Sequence, residues 1–471
     1  MIFTSGAFLL FYLLVFCVYW SLRGRGAQNW FLLLASQVFY GWWDWRFLGL
    51  MWACIAICHV ATRMIATGRR PRAAMVGAIV LLLALLGAFK YYNFFAQSLV
   101  QLADALGVHL SDATLSIILP VGISFFVFEA ICYVVDVWRR DIEADPSLLH
   151  TALYISFFPK MMAGPIIRAS DFMPQLQQAR VFAAQDFLVG MKLFLVGFVY
   201  KAVFSDSVSP FVDEVYAAVA DYDDHSLVMA TVGFYAQIYF DFCGYSLMAI
   251  GVARTLGFTL PRNFNFPYVA TSVTEFWRRW HISLSTWLRD YLYISLGGNR
   301  GGERRRQRNL MLTMLLGGLW HGASWNFVFW GGLHGAALVL HKAFADATAR
   351  IPRPALLAAA WTLCAWLLTQ TFVLLSWVPF RAQDFADTTR VLGAFAGTGE
   401  GGVRAAIPYL AILLPLAVDT LVVGVSSTRL RLARYLPALR PAAAALALGG
   451  IAAVALASMP LSVKSFIYFQ F

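Results

Sequence analysis

Long apolar runs broken by short arginine clusters dominate this chain. A membrane-crossing helix needs about 20 apolar residues, and runs of that order recur along the whole length. The first covers about 3–22 and ends at Arg23 and Arg25. Runs at about 28–45 and 47–66 lead to Arg69, Arg70 and Arg72, and a fourth covers about 73–89. Another, at about 115–138, closes on Arg139 and Arg140. The stretch 148–204 is too long for one span and is interrupted by Pro159, Gly164 and Pro165. It therefore predicts a re-entrant or tilted piece before a helix at about 182–204. Further helices are expected at about 226–250, 355–379, 405–425 and 441–459. The pattern predicts an all-α polytopic membrane protein, organised as one integral-membrane domain over 1–471.

Cytoplasmic loops are enriched in Lys and Arg, and this orients the spans. The stretch 205–225 carries Asp206, Asp213, Glu214, Asp221, Asp223 and Asp224 but no Lys or Arg, so it is expected as an outside loop. The basic and aromatic stretch 261–308 belongs at the cytoplasmic surface. A loop at 381–404 is expected outside, and Arg429, Arg431, Arg434 and Arg440 inside. Both the N-terminus and the tail 459–471 then face the periplasm. The first run lacks a basic stretch before it and an A-x-A site after it, as expected of an uncleaved helix rather than a removed signal.

Residues 309–342 are apolar but split by Gly317, Gly318 and Gly322, with basic flanks on both sides. The segment must enter and return. Each arm of about 12–18 residues spans roughly 18–27 Å, which barely crosses a hydrocarbon core of about 30 Å. The turn should lie at membrane depth, where non-helical backbone survives only inside protein or along a cavity.

Composition agrees with lipid as the solvent. Residues are 60% hydrophobic and only 13% charged, against about 25% charged in soluble domains. The net charge of +11 is explained by the inside arginines and does not call for nucleic acid. Cys17, Cys54, Cys58, Cys132, Cys243 and Cys364 lie in apolar stretches without paired metal-ligand spacing, and the eight histidines are scattered, so no metal is expected.

Three segments carry candidate chemistry. In Phe276-Trp277-Arg278-Arg279-Trp280-His281-Ile282-Ser283-Leu284-Ser285, the residues Trp277, Trp280, Leu284, Trp287 and Tyr291 recur at spacings of three and four. They predict the stripe of an interfacial amphipathic helix, with His281 near its apolar edge. A packing histidine fits that position as well as a functional one. In Gly318-Leu319-Trp320-His321-Gly322-Ala323-Ser324-Trp325, His321 falls at the turn of the buried hairpin. An ionisable group there is a functional candidate by default, and burial favours the neutral imidazole that can act as a base. His334 and His341, on the next helix, fit packing or interface roles. The third segment, Ser465-Phe466-Ile467-Tyr468-Phe469-Gln470-Phe471, reads on its own as an aromatic interfacial anchor.

These segments, together with Phe39-Tyr40-Gly41-Trp42-Trp43, Lys90-Tyr91-Tyr92-Asn93-Phe94-Phe95, Leu119-Pro120-Val121-Gly122-Ile123-Ser124-Phe125-Phe126 and Phe158-Pro159-Lys160-Met161-Met162-Ala163-Gly164-Pro165-Ile166, resemble the membrane-bound O-acyltransferase (MBOAT) superfamily. Within it they are most similar to the alginate O-acetyltransferase type of bacterial polysaccharide-acetylating protein. The resemblance implies about 10–12 transmembrane helices, plus re-entrant and interfacial helices, around a central tunnel. It implies His281 and His321 as the catalytic pair. Phe466-x-Tyr468-x-x-Phe471 resembles the terminal aromatic motif of envelope acylation systems, whose tyrosine takes up the acyl group; the counterpart here is Tyr468.

The resemblance implies acetyl-CoA as donor, an inner-membrane location, and a periplasmic SGNH-hydrolase-like (serine-hydrolase-like) acetyltransferase as partner. That partner would deliver acetyl to an alginate-like extracytoplasmic polysaccharide, with membrane lipid surrounding the chain. Arg278, Arg279 and the arginines of 304–308 are expected to meet the donor's phosphates, with Trp280 and Trp320 as further donor-binding candidates. Peptidoglycan, teichoic acid or another glycan as acceptor, or D-alanine as the acyl group, would suit the same fold. A transporter would need related halves around midplane charges, and no internal repeat is visible. A scaffold that only recruits partners would not bind acetyl-CoA.

Overall fold

The computed structural model describes residues 1–111, 114–162, 164–349, 355–398, 401–405, 407, 409–420, 450, 466 and 467. The described chain is helical, with no strand and one isolated bridge, between Tyr222 and Val403. Among the described residues, five helices are long and apolar enough to cross a membrane: Arg46–Ala66, Pro71–Ala105, Ala184–Ala217, Asp224–Thr255 and Ala358–Arg381. The protein is a multi-pass, all-α membrane protein. The helix expected at about 441–459 lies, apart from residue 450, outside the described residues. The chain forms two compact units, Met1–Phe194 with Ser246–Pro261, and Leu195–Tyr245 with Arg262–Phe471.

In the first unit, Gly6–Ser21, Arg25–Gly41 and Arg46–Ala66 follow the expected runs closely. The fourth run is longer than its apolar stretch. It continues past Lys90 through a π turn at Gly87–Tyr91 into Tyr92–Ala105. The polar Asn93 does not end it, because its side chain is engaged by the backbone of Leu115, donating to the carbonyl at 2.8 Å and accepting from the N–H at 2.9 Å. The run expected from 115 begins instead at Ile123. Gly122 precedes it at φ +76°, where a Cβ would meet the Met161 carbonyl oxygen at 2.6 Å. The proline-broken stretch is indeed a series of short helices, Leu148–Ser156, Phe158–Met161 and Ala169–Gln177. A fully buried Glu129–Lys160 ion pair ties it to Ile123–Arg139, and the Lys160 ammonium also lies 4.9 Å from the Tyr154 ring centroid. Exposed Leu10, Trp30, Leu34 and Leu99 give this unit an apolar outer surface of the kind that lipid covers.

In the second unit, the acidic stretch expected as a loop is mostly the helix Asp206–Ala217. Its charges are paired within the unit. Asp206 meets Lys201 at 2.8 Å, Asp213 meets Arg381 at 3.0 Å, and Glu214 accepts from Tyr222 at 2.9 Å. The glycine-split stretch is a helical hairpin, Glu303–His321 and Trp325–Thr348, turning at 322–324. Small residues let its backbones touch. A Cβ on Gly318 would lie 2.2 Å from the Phe327 carbonyl oxygen, and one on Gly331 2.3 Å from that of Met314. Ser324 caps the returning helix by accepting from the Asn326 N–H at 3.2 Å.

Candidate active site

The amphipathic stripe is not one helix. Val273–Arg279 stops, Trp280 is extended, and a second helix runs Ile282–Trp287 before a π turn at Leu288–Tyr293. His281 occupies the break in the left-handed region, at φ 40° and ψ 56°. Holding a non-glycine residue there costs about 1–3 kcal/mol and persists only where surroundings enforce it. Asn263 is one such enforcer. Its carbonyl accepts the Ile282 N–H at 2.9 Å, and its side-chain oxygen accepts the Ser283 hydroxyl at 2.6 Å. The break turns His281 fully inward, edge-on to Phe242 with ring centroids 4.6 Å apart. Burial pushes its pKa down to about 3, so the imidazole is neutral near pH 7.

His321 is the last residue of its helix, at the mouth of the hairpin turn, and only 4% exposed. Trp320, Trp330 and Phe380 surround it at centroid distances of 5.0, 5.0 and 5.3 Å. Trp320 also lies 6.0 Å from His281. One indole therefore packs against both imidazoles, and two histidines 40 positions apart in sequence share one buried aromatic pocket. His334 is nearby against Trp330, at 4.7 Å, but both of its nitrogens are engaged. Nδ1 accepts from the Trp277 indole at 3.2 Å, and Nε2 pairs with the Ser376 hydroxyl at 3.1 Å. That suits a packing histidine.

The aromatic segment near the chain's end enters this same neighbourhood. Phe466 is fully buried, packed on Tyr245 at 4.9 Å and on Phe242 at 5.5 Å, the ring that also meets His281. Ile467 donates its backbone N–H to Asp241 at 2.7 Å. Tyr468 lies outside the described residues.

The donor-binding candidates are dispersed. Arg278 is exposed. Arg279 is half-buried and engaged with Glu275 at 2.9 Å and the Asn265 carbonyl at 3.0 Å. Trp280 is enclosed by rings, including Phe276 at 5.5 Å and Trp377 at 5.0 Å. Arg304, Arg305 and Arg308 are exposed, while Arg306 pairs with Glu303 at 2.6 Å. Among the described residues, no cluster of three or more His, Cys, Asp or Glu could hold a metal.

One group escaped the sequence reading. Lys201 bridges Asp206 at 2.8 Å and Asp241 at 2.5 Å; Lys201 and Asp241 are buried and Asp206 is half-buried. The available signal was a charge inside each of two apolar runs, which marks function in membrane segments.

Two histidines thus share a buried aromatic pocket in a helical membrane protein. Residues 38–378 match the MBOAT, membrane-bound O-acyltransferase family, and the chain belongs to it. It is 42% identical over 405 residues to a protein of Azotobacter vinelandii named "Probable alginate O-acetylase AlgI", covering 85% of this chain and 79% of that protein. It is 35% identical over 397 residues to the peptidoglycan O-acetyltransferase of Helicobacter pylori, covering 78% and 73%. A teichoic acid D-alanyltransferase of Bacillus subtilis is 27% identical over 233 residues, covering 47% and 59%. The protein is an O-acyltransferase.

Proposed function

We propose that the protein takes acetyl from cytoplasmic acetyl-CoA and passes it across the bacterial inner membrane for O-acetylation of an extracytoplasmic, alginate-like polysaccharide. The observation that carries this reading is the burial of Phe466 against Phe242, the ring that packs on His281. It supports placing Tyr468, two residues after Phe466 in the sequence, in the role of acceptor. The names of the alginate O-acetylase and peptidoglycan O-acetyltransferase relatives favour acetyl and a glycan.

In this reading His321 is the general base. Its neutral imidazole takes the proton of the Tyr468 hydroxyl, whose ordinary pKa near 10 leaves it a poor nucleophile unaided. The phenol oxygen attacks the thioester carbonyl carbon, the O–C bond forms and the C–S bond breaks. The CoA thiolate leaves and recovers the proton from the imidazolium. His281, held neutral, orients the reacting groups. Exposed Arg278, Arg304, Arg305 and Arg308 offer charge to the donor's phosphates, while Arg279, Trp280 and Trp320 support the walls of the pocket. The acetyl ester then passes to a periplasmic SGNH-hydrolase-like transferase and on to a sugar hydroxyl, so that one difficult transfer is divided into easier ones.

The test is release of free CoA thiol from acetyl-CoA by the purified protein. The wild-type chain releases thiol and His321→Ala does not. Equal release by both would remove His321 from the chemistry.

A further inference from the structure

A buried charged group with no place in the acyl transfer chemistry lies beside the tail. Lys201 stands between two carboxylates, those of Asp206 and Asp241. Close approach of the backbones puts them there. A Cβ on Gly244 would meet the Gly197 carbonyl oxygen at 2.6 Å and the Lys201 nitrogen at 2.9 Å. The π turn Val199–Ser205 holds Lys201 across from Asp241, three residues before that glycine. The two oxygens of Asp241 are divided between partners. Oδ1 faces the Lys201 ammonium at 2.5 Å, and Oδ2 accepts the Ile467 N–H at 2.7 Å.

We infer that Asp241 is the anchor of the chain's own tail: it docks the 466–467 segment through the Ile467 N–H, and its contact with Lys201 aims the carboxylate. An ionised acceptor in a buried setting makes a stronger bond to an N–H than a neutral one. Phe466 adds the apolar half of the dock, on Phe242 and Tyr245 from the same helix. Taken with the reading of Tyr468 as acyl carrier, on which this part rests, Asp241 is a positioning residue. It restrains the segment that leads to the acceptor without touching the acetyl group.

Hydrogen exchange followed by mass spectrometry on the full-length protein tests the anchor separately from the chemistry. Exchange of the peptide containing Ile467 should accelerate about tenfold or more in Asp241→Ala. Peptides of Glu303–His321 and Trp325–Thr348 should exchange as in wild type. Acetyl labelling of the chain should slow in parallel. Unchanged exchange at the tail in Asp241→Ala would overturn the anchor, whatever the labelling does. Tail release in the variant, with no acetyl on the wild-type chain, would keep the anchor and reject Tyr468 as carrier. If the hairpin peptides also open in Asp241→Ala, the isosteric Asp241→Asn decides. Faster tail exchange with an intact hairpin supports the anchor, and wild-type tail exchange overturns it.

Discussion

The ring of Phe242 meets the imidazole of His281 edge-on, with centroids 4.6 Å apart and planes 81° apart. Phe242 follows Asp241 in the helix, and its ring also carries Phe466. One helical segment thus presents a carboxylate to the tail backbone and a ring to both the tail and a histidine. Removing the ring with Phe242→Ala should slow acetyl labelling of the chain by more than it slows hydrolysis of acetyl-CoA by water. Equal losses in the two assays would mean that Phe242 serves only the fold.

His321→Gln keeps a polar side chain in the aromatic pocket but removes the base. A positioned general base contributes about 10²–10⁴-fold. Thiol release should fall by that order, with the melting temperature in detergent near that of wild type. A loss below tenfold would assign the proton transfer to another group.

Tyr468→Phe keeps the ring and removes the hydroxyl. Polymer acetylation in cells should stop while acetyl-CoA binding to the purified protein is unchanged. Full polymer acetylation in this variant would exclude the relay.

His281 predicts a pH-dependent stability. Its folded pKa, about 3, lies below the ordinary 6.5. Between these values the unfolded chain binds a proton that the folded chain does not, so stability present above pH 6.5 drains away as pH falls toward 3. Melting in detergent at pH 7.5 and 5.0 should show a larger acid-side loss for wild type than for His281→Asn. Equal losses would mean that the buried imidazole is protonated on the way down.

Gly318→Ala places a methyl group 2.2 Å from the Phe327 carbonyl oxygen. The hairpin should separate at a cost of about 1–3 kcal/mol, read as a lower melting temperature. Because His321 is three residues on, thiol release should fall as well. Wild-type melting would show that the arms tolerate a wider spacing.

Much of the fold was readable because apolar run length is a direct demand of lipid. The helices Arg46–Ala66 and Gly6–Ser21 follow their runs within a few residues. The His321 hairpin followed from basic flanks and glycines, which determine both the return and the close packing. Local composition misled where a polar group is satisfied by a distant partner. Asp206 and Asp213 looked like loop charges but pair with Lys201 and Arg381. The three-and-four spacing around His281 suggested one unbroken helix, whereas Asn263, 18 residues earlier, stabilises a left-handed residue within it. Long-range hydrogen bonds leave no periodic trace. The Lys201–Asp241 pair and its link to Ile467 belong to the same class.

The most direct measurement is retention of radiolabelled acetyl on the denatured chain after incubation with acetyl-CoA, for wild type, His321→Gln and Tyr468→Phe. Label on wild type, lost in both variants, is the predicted result, since base and acceptor are both required. Label that persists in Tyr468→Phe, or a wild-type chain that turns over acetyl-CoA yet never carries label, would contradict an acyl relay through the tail.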